Sequence, residues 1–158
     1  MLQKPMRRKL ISMFVSLTLL LAIVGAALLL MSLTSRQPGS VGASEERLSE
    51  CPQSPNCVCS QSASPEHQIA PLSLTVEPTG AIARIADIVR SMPRTTIVRQ
   101  TDTYLHAEFR SRLFRFPDDV EFLIDADAKV IHVRSASRIG HSDLGVNRAR
   151  VEEIRRQL

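Results

Sequence analysis

A run of 23 residues without a charge, from position 11 to position 33, constrains this chain more than any other feature. A helix over this run is about 34 Å long, enough to cross a hydrocarbon layer of about 30 Å. A cleaved signal peptide, the alternative, has an apolar region of about 7 to 15 residues followed closely by small residues. The nearest such site, Val41-Gly42-Ala43, lies too far downstream. The run therefore predicts an uncleaved, single-pass transmembrane anchor (a signal-anchor).

The charges on either side of this anchor predict its orientation. Four cations precede it: Lys4, Arg7, Arg8 and Lys9. Only Arg36 follows it closely. Because cytoplasmic flanks carry the excess of Lys and Arg, we expect residues 1–10 in the cytoplasm. Everything after Leu33 is then exported, into a periplasmic or extracellular space at the cell membrane.

The net charge argues against nucleic acid as a partner. The chain has 20 basic and 16 acidic residues, and the part up to residue 33 holds four of the basic and none of the acidic ones. The exported part is therefore neutral, with 16 of each. A neutral domain has no electrostatic reason to attract nucleic acid, so the predicted partner is the membrane, through the N-terminal helix.

A flexible linker is predicted between the anchor and the folded domain. Residues 34–50 are rich in Ser, Gly and charged residues and poor in apolar ones. Such composition is typical of tethers that do not pack. The predicted organisation is thus a cytoplasmic N-terminus, an anchor over 11–33, a linker over 34–50 and an exported domain over 51–158.

The exported domain begins with CPQSPNCVCS, residues 51–60. Its prolines argue against regular structure and bring Cys51 near Cys57. Outside the cytoplasm this favours a disulfide. Three cysteines allow three pairings, so Cys59 is free, paired between chains, or the partner of Cys51. A zinc site would need a fourth ligand, for which His67 is nearest, and Cys-x-Cys is not the usual spacing; no metal or cofactor is predicted.

Helical periodicity marks two segments of the domain. The first has an apolar stripe of Ile82, Ile85, Val89 and Met92, with Thr79 as its N-cap and Pro93 as its stop. The last has Val151, Ile154 and Leu158 on its stripe, with Asp143 or Asn147 as its cap. Both helices are expected to face the core.

Between the helices the period changes to two. Four strands are predicted, over 95–101, 104–111, 120–126 and 129–137, with turns at Asp102, at Pro117-Asp118 and around Asp127-Ala128. One face is apolar: Leu105, Ala107, Phe109, Val120, Phe122, Ile124, Ile131 and Val133. The opposite face, predicted to be solvated, carries His106, Glu108, Arg110, Glu121, His132 and Arg134, with Leu123 as an exception. The predicted fold class is α+β: a four-stranded antiparallel meander with two helices on one face, after a single N-terminal transmembrane helix.

Three strings in this domain closely resemble the domain-of-unknown-function 1499 family. They are CPQSPNCV, DDVEF at 118–122 and RSASRIGHSDLGVNRAR at 134–150, and the resemblance covers residues 51–158. The family has no assigned activity, so the resemblance implies no catalytic residue. It implies a serine where this chain has Cys59, which favours Cys51 with Cys57 as the disulfide and leaves Cys59 as the spare thiol.

The arginine-rich stretch 134–150 has a structural interpretation, which we favour. Alternation places Arg134, Ala136 and Arg138 on the charged face, and the neighbouring strand supplies Asp119 or Glu121. Arg134 and Arg138 would then pair with Glu121, Glu108 or Asp118 across strands, each pair adding about 0.2 to 1 kcal/mol. This predicts a membrane-anchored cell-envelope domain of unknown activity, most simply a non-enzymatic binding or structural module.

A first alternative is an anion site in the same stretch. Gly140 and Gly145 flank a connection whose backbone N–H groups precede a helix and lie near guanidinium groups, a combination that binds anions. The candidate binding residues are Arg134, Arg138, Ser142, Asp143, Asn147 and Arg148. The ligand would be the phosphate or carboxylate of a lipid head group or another anionic envelope component.

A second alternative is a small hydrolase or metal-dependent enzyme on the charged face. His106, Glu108, Glu121 and His132 offer imidazole and carboxylate groups on adjacent strands, as a base with its orienting partner or as metal ligands. The sequence contains no nucleophile elbow, phosphate loop or paired Cys-x-x-Cys motif. We therefore predict no catalytic residue.

Overall fold

The computed structural model describes residues 4–39, 41–44, 47–74 and 78–158. The helices are α1 (Lys4–Thr34), α2 (Pro78–Ser91) and α3 (Val146–Gln157). The short strands are β1 (Ala43–Ser44), β2 (Arg47–Leu48), β3 (Cys57–Cys59) and β4 (Leu72–Ser73). The long strands are β5 (Thr95–Gln100), β6 (Tyr104–Arg110), β7 (Pro117–Asp125) and β8 (Val130–Ser137).

Helix α1 contains the charge-free run. The candidate span, Met6–Thr34, is 29 residues long, and no residue of its most apolar 18-residue stretch is buried within the described protein. Its length and composition suit a membrane span, as anchor or as signal sequence.

The main sheet is antiparallel, with strands in the order β3-β8-β7-β6-β5 and β4 also paired to β8. The predicted α+β class and the antiparallel order of the four long strands are confirmed. The prediction of four strands is wrong, because the described residues form a sheet of six. Strands β3 and β4, of three and two residues, are too short to show an alternating pattern. The prediction that residues 51–60 lack regular structure is likewise wrong at Cys57–Cys59, which pair with β8.

The predicted turn at Pro117-Asp118 is also wrong. Strand β7 begins at Pro117, which pairs with Arg110, and residues 111–116 make the connection instead. Proline is accepted at the first position of a strand. Asp118 is buried there, and Arg150 donates to its carboxylate at 2.6 Å, which compensates the loss of water around that group.

The core lies between α2, α3 and the apolar face of the sheet, as predicted. Ile82, Ile85 and Val89 of α2 and Val151 and Ile154 of α3 are buried against the predicted apolar strand residues.

Helix α2 begins at Pro78, one residue before the proposed cap Thr79, and ends at Ser91. Proline suits the first helical position because its missing N–H would have no partner there.

Of the two residues proposed as the cap of α3, Asp143 acts as one and Asn147 does not. Asp143 accepts hydrogen bonds from the N–H groups of Gly145, at 3.0 Å, and Asn147, at 2.8 Å. Asn147 itself is not a cap, since it lies inside the helix and is fully buried. Gly145, immediately before the helix, has φ of 82°, a left-handed conformation that favours glycine.

The opposite face of the sheet is not solvated, which contradicts the prediction. His106, Glu121 and Arg134 are 2%, 0% and 4% exposed. The described residues between 36 and 52, which we call the arm, lie over this face. Leu48 packs with Cys59, Tyr104 and Leu123. The arm includes residues of the predicted linker, whose small and polar composition gave no sign of this packing.

Candidate functional site

The covered face of the sheet brings acidic and basic side chains from three adjacent strands together. His106 of β6 lies opposite Glu121 of β7, and Glu121 lies opposite Arg134 of β8. One step along, Glu108 lies opposite Asp119. Residues opposite each other in antiparallel strands have Cβ atoms about 4.5–5.5 Å apart on the same face. The register alone therefore assembles a charged network.

Glu121 is the centre of one half of this network. Its carboxylate accepts hydrogen bonds from Arg134 Nη1 at 3.0 Å, Tyr104 Oη at 2.7 Å and the N–H of Gly42 in the arm at 2.7 Å. Three donors thus compensate the loss of water around this fully buried carboxylate. Burial, followed by the hydrogen bond to Glu121, raises the pKa of Tyr104 far above its usual value.

Asp119 is the centre of the other half. It accepts hydrogen bonds from Arg138 Nε at 2.7 Å and Nη2 at 2.6 Å, and His106 Nε2 lies 2.7 Å from it. Arg138 Nη1 lies 2.9 Å from Glu108 Oε2. Burial acts to raise the pKa of Asp119, but the bonds to Arg138 and His106 outweigh it and hold that pKa below its usual value. The bond to Asp119 raises the pKa of Arg138.

A cavity of about 370 Å³ lies between the arm and this network. Arg134, Arg138 and Asp119 line it from the sheet, with Ala136 and Ser137, and the arm contributes Pro38, Glu50, Cys51 and Pro52. Within the described residues, Nε of Arg134 is a buried donor that has no hydrogen-bond partner. Leaving such a donor unsatisfied costs about 1–3 kcal/mol, and proteins tolerate few such groups.

A disulfide fastens the arm at one side of this cavity. Cys51 is bonded to Cys57 of β3, which confirms the predicted pair. Cys59 is free and 1% exposed, beside Arg134 in the strand register. Burial raises the pKa of the Cys59 thiol, so the thiolate that a nucleophile requires is disfavoured.

The histidines considered as ligands or bases lie apart from one another. Buried His67 uses Nδ1 to bond the carbonyl oxygen of Cys57 at 3.0 Å. His132 contacts Ser60 at 3.2 Å and Asp125 at 3.6 Å. In the described ranges, no group of three or more His, Cys, Asp or Glu side chains is placed to hold a metal ion. Of the proposed enzymatic cluster, only His106, Glu108 and Glu121 belong to the network.

The residues proposed as an anion site do not form one group. Arg134 and Arg138 belong to the network under the arm. Arg148 instead donates to the carbonyl of Gln68 at 2.8 Å and lines a different cavity. Ser142 accepts a hydrogen bond from the N–H of Leu144. Asp143 caps the start of α3 and Asn147 is hydrogen-bonded in the interior, so both residues already have structural partners.

Sequence reasoning missed two members of the surrounding polar structure. Tyr104 starts a strand, and the alternation of that strand places it on the charged face, so the sequence pattern could have identified it. Arg150 donates to Asp118, to Asn147 at 2.6 Å and to Ser135 at 3.1 Å, and lies over the ring of Phe109. Asp118 and Ser135 lie on strands far from Arg150 in the chain, so no local pattern predicts those two contacts.

Comparison with known proteins gives one positive result. Neither the curated proteins nor the solved structures include a match to this chain. One family model matches residues 47–158, which is more than half of the chain and includes the network, the disulfide and all of the main sheet. The chain belongs to the DUF1499 family, whose members are described as proteins of unknown function.

Proposed function

We propose that this protein is a membrane-anchored cell-envelope domain that binds a small polar ligand in the cavity under the arm. The topology we propose has residues 1–10 in the cytoplasm and the folded domain exported. Two observations support it: four cations precede the apolar run and one follows it closely, and the folded part carries a disulfide, which is typical of oxidising compartments.

One observation carries the binding proposal: buried charged side chains meet at a cavity of ligand size. Small-molecule sites typically measure about 300–1,000 Å³, and this cavity of about 370 Å³ lies against Asp119, Arg134 and Arg138. Replacing a buried ion pair with apolar residues is often neutral or stabilising. The network is therefore a poor device for stability alone, and its place beside a cavity favours a role in binding.

The balance of charge suggests the class of ligand. Two arginines of the network, Arg134 and Arg138, face three carboxylates, those of Glu108, Asp119 and Glu121, and Glu108 also pairs with Arg110, so cations and carboxylates are balanced. A free anion would meet no excess of positive charge. A neutral or zwitterionic molecule with hydrogen-bonding groups suits this lining better than phosphate does, so we propose that class.

The same geometry favours binding over catalysis. His106 and Asp119 resemble a base with its orienting partner, but the side chain of each is 2% exposed. The nearby thiol and phenol, Cys59 and Tyr104, have pKa values raised by burial. Without a nucleophile that ionises easily, the network supports recognition rather than acyl or phosphoryl transfer.

Native mass spectrometry of the full chain, purified in mild detergent from its own membranes, tests this proposal. We expect a small molecule to be retained by the parent. Ala136→Leu should abolish retention, because the added side chain fills the cavity floor. The matched control is Ala128→Leu, in the exposed turn between β7 and β8, which should retain the ligand.

Circular dichroism and peptide mapping of the Cys51–Cys57 bond would establish that both variants are folded. Retention by the parent and both variants would place the ligand elsewhere. A parent free of any small molecule would favour a structural module instead.

A further inference from the structure

A second surface of the domain faces the end of the membrane helix. Residues 111–116 connect β6 to β7 and read SRLFRF. Leu113 is 76% exposed and lies between the exposed Arg112 and Arg115. The rings of Phe114 and Phe116 stack with their centres 5.6 Å apart. Exposed apolar side chains interspersed with arginine are typical of segments that lie at a bilayer surface.

This loop is joined directly to α1. Ser32, which is 1% exposed, donates from Oγ to the carbonyl oxygen of Arg115 at 2.6 Å. Arg110 Nη1 donates to the same carbonyl at 3.2 Å. The charge-free run 11–33 forms about 34 Å of helix, slightly more than the hydrocarbon layer of about 30 Å. Ser32 lies at the end of that run, so this end of α1 lies at the edge of the head-group layer, and the loop lies there with it.

A cavity of about 420 Å³ adjoins the loop. Its lining includes Arg94, Arg110, Arg112 and Arg150, with Met92 and Phe109 as apolar wall. Two carboxylates pair with these arginines: Asp118 with Arg150, and Glu108 with Arg110, the latter shared with Arg138 of the network. Arg112 and Arg115 have no ion pair in the part of the chain that the structure describes. Unlike the network under the arm, this region has an excess of positive charge.

We propose that this cavity and the 111–116 loop bind the head group of an acidic phospholipid from the bilayer that holds α1. The arginines meet the phosphate, Met92 and Phe109 meet the glycerol and upper acyl region, and Leu113 enters the bilayer interface. The site differs from the cavity under the arm in place and in charge. It also differs from the candidate anion site in the stretch 134–150, with which it shares only Val146, Ala149 and Arg150 and none of the candidate binding residues.

The test places the full chain in nanodiscs of equal parts phosphatidylcholine and phosphatidylglycerol. Native mass spectrometry then identifies the lipids that stay bound to the protein when it is released from the nanodisc. The parent should retain phosphatidylglycerol preferentially. Arg112→Gln with Arg115→Gln should lower that preference roughly 30-fold, from the usual contribution of each basic residue near an anionic surface. The same two positions changed to lysine should keep the preference, since lysine keeps the charge.

The matched control removes two cations at the other end of the sheet, through Arg99→Gln and Lys129→Gln. Arg99 lies opposite His106 in the register of β5 and β6, and Lys129 lies in the turn between β7 and β8. The control should retain phosphatidylglycerol as the parent does.

Equal retention of both lipids by the parent would overturn the proposal. So would an equal loss in the control, which would indicate general charge attraction without a site. Displacement of phosphatidylglycerol by millimolar inorganic phosphate would indicate a site for free phosphate and would also overturn it.

Discussion

Arg138 donates two hydrogen bonds to the carboxylate of Asp119, at 2.7 Å and 2.6 Å, and the two side chains are 6% and 2% exposed. Bidentate pairs of this kind are stronger and more directional than single hydrogen bonds. Nineteen residues separate the two in the chain, and the pairing of β7 with β8 brings them together. The arginine-rich stretch is thus held by buried carboxylates, and its behaviour under mutation and acid follows from their burial.

Arg134→Met should cost about 3–5 kcal/mol of unfolding free energy, because it leaves the fully buried Glu121 carboxylate without its cation. Breaking an exposed pair would cost only up to about 1 kcal/mol, which is the loss expected if the charged face were solvated as the sequence predicted. Urea unfolding of the detergent-solubilised chain, followed by circular dichroism, measures this. Arg90→Met breaks an exposed pair with Asp87 and is the control; a loss as small as the control's would contradict the burial of the network.

The low pKa of Asp119 predicts a loss of stability in acid. A carboxyl whose folded pKa lies below its unfolded value, about 3.9, stabilises the fold fully above that value. This contribution is lost as the pH falls through the folded pKa. The melting temperature should therefore drop below about pH 4. Asp119→Asn should be less stable than the parent at pH 7 and show a shallower drop in acid; an unchanged acid profile would show that other carboxyls dominate.

Cys59 should resist thiol reagents in the folded protein and react after denaturation, since it is 1% exposed and its pKa is raised by burial. Peptide mapping without reduction should find Cys51 linked to Cys57. Cys51→Ser should cost about 2 kcal/mol by the loop-entropy estimate. Three free thiols in the unreduced protein, or zinc bound in proportion to protein, would contradict this prediction.

A reporter fusion tests the proposed topology. Alkaline phosphatase fused after Leu158 should be active, because it requires an oxidising compartment, and a fluorescent protein that folds only in the cytoplasm should be dark there. The four cations before the apolar run are the reason. As a control, the same reporters fused after Leu10 should give the reverse pattern, and identical patterns at both sites would refute a single crossing.

Inorganic phosphate should not raise the melting temperature through Arg138 and Arg148. The first is held by Asp119 and Glu108, and the second by the carbonyl of Gln68, so they do not converge. A ligand at about 100 times its dissociation constant adds about 2.7 kcal/mol to the native state. A saturable rise that disappears in Arg138→Met with Arg148→Met, while the fold is intact, would show that the anion interpretation was right.

The long elements were predictable because their signals are local. Alternation in 104–111 and 129–137 and the helical stripe of Ile82, Ile85 and Val89 each report one buried face of one element. The same alternation placed Arg134 and Glu121 on a common face, and that pair was correctly anticipated. Strands β3 and β4 were missed because they are too short to have a period and exist only by pairing with β8.

The environment of the charged face could not be read from the sequence. Alternation shows which residues share a face, but a charged face looks the same whether water or another segment covers it. The segment that covers it has the composition of a linker, and its contact with the sheet is seen only in the structure, for example in the packing of Leu48 and the hydrogen bond from Gly42 to Glu121. The cost of breaking an ion pair there changes severalfold with that difference.

By itself, the sequence determined the apolar helix, the α+β class, the apolar face of the sheet and the short spacing that allows Cys51 to reach Cys57, because each depends on residues that are neighbours in the chain. The tertiary structure decided that Arg138 meets Asp119, that the arm buries the network, and that the 111–116 loop reaches the end of α1. Those relationships join segments up to 83 residues apart, as between Ser32 and Arg115. Contacts at that separation depend on how completed elements pack, and no local periodicity encodes them.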